Sequence, residues 1–236
     1  MRRRLLAGLV VAVFAFPVAG CSTGHGSAPS ATRAPSSTAR TGASSPAPAG
    51  TASASALCVA ETGPAGCPVA PGHYAVPQFH PPIAFDTADR WTNNAQQRDV
   101  VAFITPGKAD EFLEFGSNIT QGRDDDGKAV TIRNTPEGFV AWLRTRNALT
   151  VDEPVPATLG GKPATRVDAV AKKDTVLYRY PSGGDYGLAR GQRIRIVTAV
   201  VGKDRVQVAA EAPDKRFDSF WKRIGPILKS VTFSGS

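Results

Sequence analysis

Residues 22–56 contain no Leu, Ile, Val, Met, Phe, Tyr or Trp. Ser, Thr, Ala, Pro and Gly fill almost the whole stretch. Such a segment cannot bury enough apolar surface to offset the entropy of ordering itself. It is expected to be a disordered spacer spanning on the order of 30 Å, more where proline stiffens it. Any fold must therefore come from residues 57–236, about one domain's worth of chain.

Upstream, Arg2, Arg3 and Arg4 precede an apolar run from Leu5 to Phe16. The run is shorter than the roughly 20 residues needed to span a bilayer. A cationic start, a short apolar core and small residues describe an export signal. Val18-Ala19-Gly20-Cys21 resembles the lipobox of bacterial lipoproteins. The resemblance implies cleavage before Cys21 and a thioether-linked diacylglycerol on its thiol, with palmitate among the acyl chains. Two or more chains anchor stably where one does not. The organisation expected is a signal peptide over 1–20, a tether over 21–56 and a globular domain over 57–236. The expected location is the extracytoplasmic face of the cell membrane.

The formal net charge of +8 shrinks once position is considered. Arg2 to Arg4 leave with the signal, and Arg33 and Arg40 lie in the tether, so the domain carries +3. That lacks the electrostatic footprint of a nucleic-acid binder. Two cysteines remain, Cys58 and Cys67, flanking the turn-forming "VAETGPAG". An exported chain permits disulfides, and no C-x-x-C suggests a metal or redox pair. A Cys58–Cys67 disulfide is expected, stabilising the start of the domain by about 2–3 kcal/mol.

Within the domain, short β-rich runs alternate with turn signals. "DVVAFI" reads as a strand, and "EFLEFGS" as a strand or a helical turn. A turn at Asp126-Gly127 leads into "VTIRN". Thr135 is an expected N-cap and Pro136 a first helical residue, with Phe139, Val140, Trp142 and Leu143 on one face. Gly160-Gly161 turns one hairpin, and Gly202 to Asp204 turns another. In the second, Arg193 and Arg195 alternate with Ile194 and Ile196, which predicts one solvated face. Near the end, Phe217, Trp221, Ile224 and Leu228 recur at helical spacing. Pro226 is expected to kink or interrupt that helix.

This order resembles the PsbP-like family, which includes extracytoplasmic lipoproteins of high-GC Gram-positive bacteria. Four stretches carry the resemblance: "IAFDTADRW" as an opening hairpin, "TPEGFVAWL" as the first helix, "VPATLGGKPATRVD" as a hairpin, and "FDSFWKRIGPILKSVTF" as the closing helix and strand. It implies an α+β fold, an antiparallel β-sheet packed against helices as an α/β/α sandwich, with an accessory or binding role and no shared catalytic residues. A β-sandwich with two added helices is the alternative.

Chemistry-bearing motifs are scarce. His73 and His80 are the domain's histidines, and a zinc site would need Asp86 or Asp89 beside them. Ser182 in "YPSGGDYG" lacks an evident base and lies outside any G-x-S-x-G elbow. "DDDG" at 124–127 misses the calcium-loop spacing. No catalytic, metal or cofactor residues are assigned. The expected function is a lipid-anchored envelope protein whose domain binds an envelope lipid, a glycan or a membrane-complex partner without catalysis. A secreted hydrolase using His73 or His80 as base, and a surface protein without specific ligand, are the rivals.

Overall fold

Alternating apolar and polar residues organise the chain into strands in three layers, seen in a computed structural model that describes residues 54–57 and 66–234. These lie in one unit, Ala49–Ser236. Cys21, Cys58 and most of the expected tether lie outside the described residues.

In chain order the first strands are β1 (Ser55–Ala56), β2 (Cys67–Val69), β3 (Gly72–Val76), β4 (Ile83–Thr87), β5 (Trp91–Gln96) and β6 (Val100–Thr105). Next come β7 (Lys108–Ser117), β8 (Gln121–Arg123), β9 (Ala129–Thr131), helix α1 (Pro136–Arg144), β10 (Leu149–Val151), β11 (Val155–Leu159) and β12 (Lys162–Ala171). The rest are β13 (Thr175–Arg179), β14 (Asp185–Leu188), β15 (Gln192–Val201), β16 (Asp204–Pro213), helix α2 (Phe217–Ser230) and β17 (Thr232–Phe233). Neither helix is long and apolar enough to cross a membrane.

The middle layer is a nine-stranded sheet ordered β10-β12-β15-β16-β7-β6-β5-β2, with β11 also on β12. Every pairing in it is antiparallel. One face carries α2 and the small sheet β1-β3-β4-β17. The other carries α1 and the small sheet β14-β13-β8-β9. The fold is α+β, dominated by antiparallel strands. Ser55 and Ala56, the last residues of the expected tether, pair in parallel with Tyr74 and Ala75.

Local chemistry explains most boundaries. Thr135 caps α1 by accepting the Gly138 N–H at 3.0 Å, and Pro136 opens the first turn. At Gly160 and Gly161 φ is +56° and +74°, the left-handed geometry that a two-residue hairpin needs. "EFLEFGS" is strand throughout, within β7.

Four expectations need correction. First, "IAFDTADRW" is not a hairpin. β4 pairs with β3 and β17, whereas β5 pairs with β2 and β6, so the chain crosses between layers at Ala88–Arg90. Ile83, Phe85 and Trp91 then fill one core from opposite sides.

Second, the arginine face of β15 is not solvated. Ile194 and Ile196 face the α1 side, and α2 covers the other. Arg195 lies 4.5 Å over the Trp221 ring and forms a two-pronged pair with Asp168. A guanidinium stacks on aromatic faces as readily as it meets water. The inward partners of Val208 and Val206 are accordingly Val197 and Ala199, while Val200 is exposed.

Third, the buried stripe of α2 is Phe217, Phe220, Ile224 and Ile227, with Trp221 and Leu228 only partly buried. Fourth, Pro226 does not interrupt α2, which continues through it. Pro226 is exposed, so packing of the opposite face on both sides of it holds the helix.

Candidate functional site

Strands β7 and β16 present two chemistries. Leu113, Phe115, Val206, Val208 and Ala210 point towards α2 and are fully buried in an apolar core. The alternate positions, Glu114, Arg205, Gln207 and Glu211, point the other way and are also buried. Buried polar groups need partners, and β13 and β14 supply them as tyrosines. Tyr178 donates its hydroxyl to Glu114 Oε1 at 3.0 Å and accepts from Gln207 Nε2 at 3.1 Å. Gln207 in turn accepts from Arg205 Nη1 at 2.9 Å. Tyr180 donates to the other Glu114 oxygen. Tyr186 donates to Glu211 Oε2 at 2.7 Å. The Tyr178 and Tyr186 rings stack with centroids 4.8 Å apart.

The electrostatics of this network differ from those elsewhere in the molecule. Burial pushes the Glu114 carboxyl up to about 7, although the Tyr180 and Tyr178 hydroxyls pull the other way. Burial does the same to Glu211, against the pull of Tyr186 and Gln192. Burial and the neighbouring carboxylates hold Tyr178 and Tyr186 well above the ordinary phenol range, and raise Tyr180 too. Burial lowers Arg205 to about 10. Glu111, equally buried, makes a useful contrast. Lys108, Arg223 and Arg216 lie 3.1, 2.8 and 3.7 Å from its oxygens. Burial raises its carboxyl, but bonds to Lys108 and Thr105 and the Arg223 charge outweigh that, leaving it below the usual range. Among the described residues, neither Glu114 nor Glu211 has a cation within 4 Å.

Glu211, Tyr180 and Tyr186 reach the wall of a cleft of about 390 Å³. Its other walls are Phe112 of β7, the Asn94–Ala102 side of β5 and β6, and Gly183 to Gly187 at the β13–β14 turn. Asp99 fixes that turn by accepting the Ser182 N–H at 2.8 Å. At Gly183 and Gly184 φ is +103° and +86°, which lets the turn fold back over the cleft.

The residues singled out in the sequence fall elsewhere. His73 meets Asp86 at 2.6 Å on the β3–β4 hairpin, and His80 lies 3.4 Å from Asp204. No three His, Cys, Asp or Glu side chains converge for a metal among the described residues. Ser182 and His80 line a common pocket with Asp99. There Asp99 accepts the Ser182 backbone N–H, and His80 leans on Asp204 rather than on a hydroxyl. Asp124 closes its own turn by accepting the Asp126 and Lys128 N–H groups. Asp125 accepts from Arg146 Nε and from two N–H groups just beyond α1. These are structural roles for the "DDDG" carboxylates. Cys67 opens β2, and its expected partner Cys58 lies outside the described residues.

The acid–tyrosine network escaped the sequence reading. The available signal was a glutamate set among apolar residues in each of two long strands, Glu114 in "FLEFG" and Glu211 in "VAAEA", with tyrosines alternating in "VLYRY".

Fold and cleft together define a three-layer α+β domain with a polar network buried on one side of its main sheet. No family model matches the chain, and no curated protein matches it. Among solved structures it is similar to LpqN of Mycobacterium tuberculosis, described as involved in cell envelope biogenesis. That match has 14% identity and a TM-score of 0.41, covering 70% of this chain and 88% of that one. It is also similar to the cyanobacterial PsbP, CyanoP, of Synechocystis, with 10% identity and a TM-score of 0.39, covering 75% and 97%. A Bacteroides thetaiotaomicron protein follows at 7% identity and 0.36, covering 65% and 46%. A PsbP thus stands among the similar structures.

Proposed function

We propose that the chain is a lipid-anchored, extracytoplasmic cell-envelope protein whose domain binds a ligand or partner without catalysis, in the cleft beneath the β13–β14 turn. The observation that carries the binding role is the cleft itself, lined by the Phe112, Tyr180 and Tyr186 rings and by the carboxyls of Asp185 and Glu211. Their engagement supports a non-catalytic role, since Glu114 and Glu211 are held by tyrosine hydroxyls rather than beside a nucleophile. The hydrolase rival would use His73 or His80 as base, and these lie against Asp86 and Asp204.

The anchor belongs to the same reading. Cys21 carries diacylglycerol after removal of residues 1–20, the tether follows, and a Cys58–Cys67 disulfide staples the domain's start beside β2. The lipobox-like "VAGC" and the apolar run before it support this.

Thermal unfolding of the full chain against envelope lipid, glycan and membrane-protein fractions tests the binding role. A ligand present at a hundred times its Kd raises stability by about 2.7 kcal/mol. A shift that Tyr180→Ala abolishes is expected. No Tyr180-dependent shift with any fraction would refute the cleft as the binding site. Mass spectrometry of protein from its native host is expected to show Cys21 acylated and N-terminal.

A further inference from the structure

Two buried carboxyls lacking a protein counter-charge beside an aromatic-walled cleft raise the question of what supplies that charge. Several shielded acids elsewhere have a cationic partner, although Asp99, 7% exposed, has only the Ser182 N–H. Glu111 has three cations, Asp168 has Arg195, and Asp125 has Arg146. Glu211 is 7% exposed, and its carboxyl faces hydroxyls, an amide and other acids instead.

We propose that the cleft is a recognition site for an organic ammonium group, held by the Glu211 carboxylate and the Phe112, Tyr180 and Tyr186 rings. This rests on the reading of the cleft as the binding site, and it adds the ligand's chemical class.

The wall has the composition that such a group needs. No Lys, Arg or His lines the cleft. Three rings do, with Phe112 and Tyr186 6.0 Å apart. An ammonium over aromatic faces gains most when both are shielded from water. A buried carboxylate gains most from a counter-charge, because its alternative is an uncompensated ion. Asn94 and Gln97 add amide dipoles along one wall. Arg123 and Arg179 are both turned onto Asp185, at 3.1 and 3.8 Å. Asp185 is thereby neutralised, leaving Glu211 as the charge that a ligand meets.

The protonation chemistry gives the site a signature. The groups facing Glu211 are Asp110 and Glu114 of β7, Tyr178 of β13, Tyr180 just after it, Tyr186 of β14 and Gln192 of β15. Among them Glu114 also has its carboxyl raised to about 7, and it moves in the same direction as Glu211. With the Glu211 carboxyl at about 7, an ammonium binds the ionised form and must displace its proton at lower pH. Affinity should therefore rise by roughly tenfold from pH 6 to pH 8 and level off above that. A neutral ligand would show no such rise.

The experiment is calorimetric titration of the full chain with choline and n-butylamine, using n-butanol as the uncharged match, at pH 6, 7 and 8. Both amines are expected to bind saturably, to exceed butanol at least tenfold at pH 8, and to weaken towards pH 6. Glu211→Gln is expected to abolish the pH dependence and most of the affinity. The wild-type pH profile makes the test independent of how that variant folds. Vesicles bearing choline headgroups form a second arm, and binding to them but not to free choline would assign the ammonium to a lipid. Equal binding of butanol, a flat pH profile or no amine binding in either arm overturns the proposal. If amines fail while an envelope fraction still gives a Tyr180-dependent shift, the cleft remains the binding site and only the ligand class falls. If both fail, both readings fall.

Discussion

The two faces of the central sheet are built from the same strands and solve burial in opposite ways. Towards α2, β7 and β16 offer mainly aliphatic and aromatic groups, with Glu111 near the start of β7 paired to Arg223 of α2. Phe115 stacks on Phe85 there at 5.6 Å, and Phe85 meets Phe103 edge-on at 5.5 Å. Arginines enter this layer only at its margin, as Arg195 does over Trp221 and Arg223 does 4.9 Å over Trp91. Towards α1 the same strands offer Arg205, Gln207, Glu114 and Glu211, and the covering sheet answers with hydroxyls. Stability on the first face comes from area and packing, indifferent to pH. On the second it depends on every donor finding its acceptor, in a setting where protons come and go.

The contrast is broken most severely from the apolar side. Phe115→Ala removes a wholly buried ring stacked on Phe85 and is expected to cost about 3–5 kcal/mol. Denaturant unfolding at pH 5 and pH 8 should give the same loss at both. A loss that changed strongly with pH would show that the two faces are coupled.

The second effect belongs to the polar face. Glu114 and Glu211 hold their protons up to about pH 7, against an ordinary carboxyl value of 4.5. The folded state therefore binds these protons more tightly than the unfolded state. Their contribution is complete below pH 4.5, falls as pH rises towards 7 and is lost above it. Each group is worth about 3 kcal/mol over that window. Glu111 and Asp125, both shifted down, are ionised in either state above pH 5 and leave the slope alone. Urea midpoints between pH 5 and 7.5 should decline, and Glu114→Gln should flatten the decline. A midpoint rising with pH would contradict the uncompensated burial of these acids.

Tyr178→Phe is smaller, at about 1–3 kcal/mol, because the ring stays and only the hydroxyl between Gln207 and Glu114 goes. Its cost should grow above pH 7, where Glu114 is ionised and most needs the donor. Measuring it at pH 5 and 8 sharpens the contrast with Phe115→Ala.

The apolar face was the more legible in sequence, and the reason is physical. The strands of "VVAFI" and "RIRIVTAVV", the cap at Thr135 and the Gly160-Gly161 turn are local signals, set by period, dihedral and hydrogen-bond geometry. Which face of β15 would meet α2 is a tertiary fact. An arginine on a strand looks solvent-bound until an aromatic helix is known to lie over it. Glu114 and Glu211 were opaque for the same reason. Their partners Tyr178, Tyr180 and Tyr186 are distant in sequence, and no spacing rule links them. The crossing between β4 and β5 was misjudged because "TADR" makes a tight turn whether or not the strands it joins pair with each other.

The smallest effect tests how α1 is held against the polar face. Thr135→Ala removes the bond to the Gly138 N–H and is expected to cost about 1 kcal/mol, read from the thermal midpoint. Gly138→Ala is the sharper companion. Helix propensity alone would make it stabilising by about 1 kcal/mol. A methyl group there would lie 2.6 Å from the Arg133 Cβ and 2.8 Å from the Arg133 carbonyl oxygen. The segment entering α1 passes too close for any side chain, so the substitution should destabilise. If Gly138→Ala instead stabilised the protein, α1 would be free to shift on its sheet. The α1 face would then be the looser of the two in packing as well as in charge.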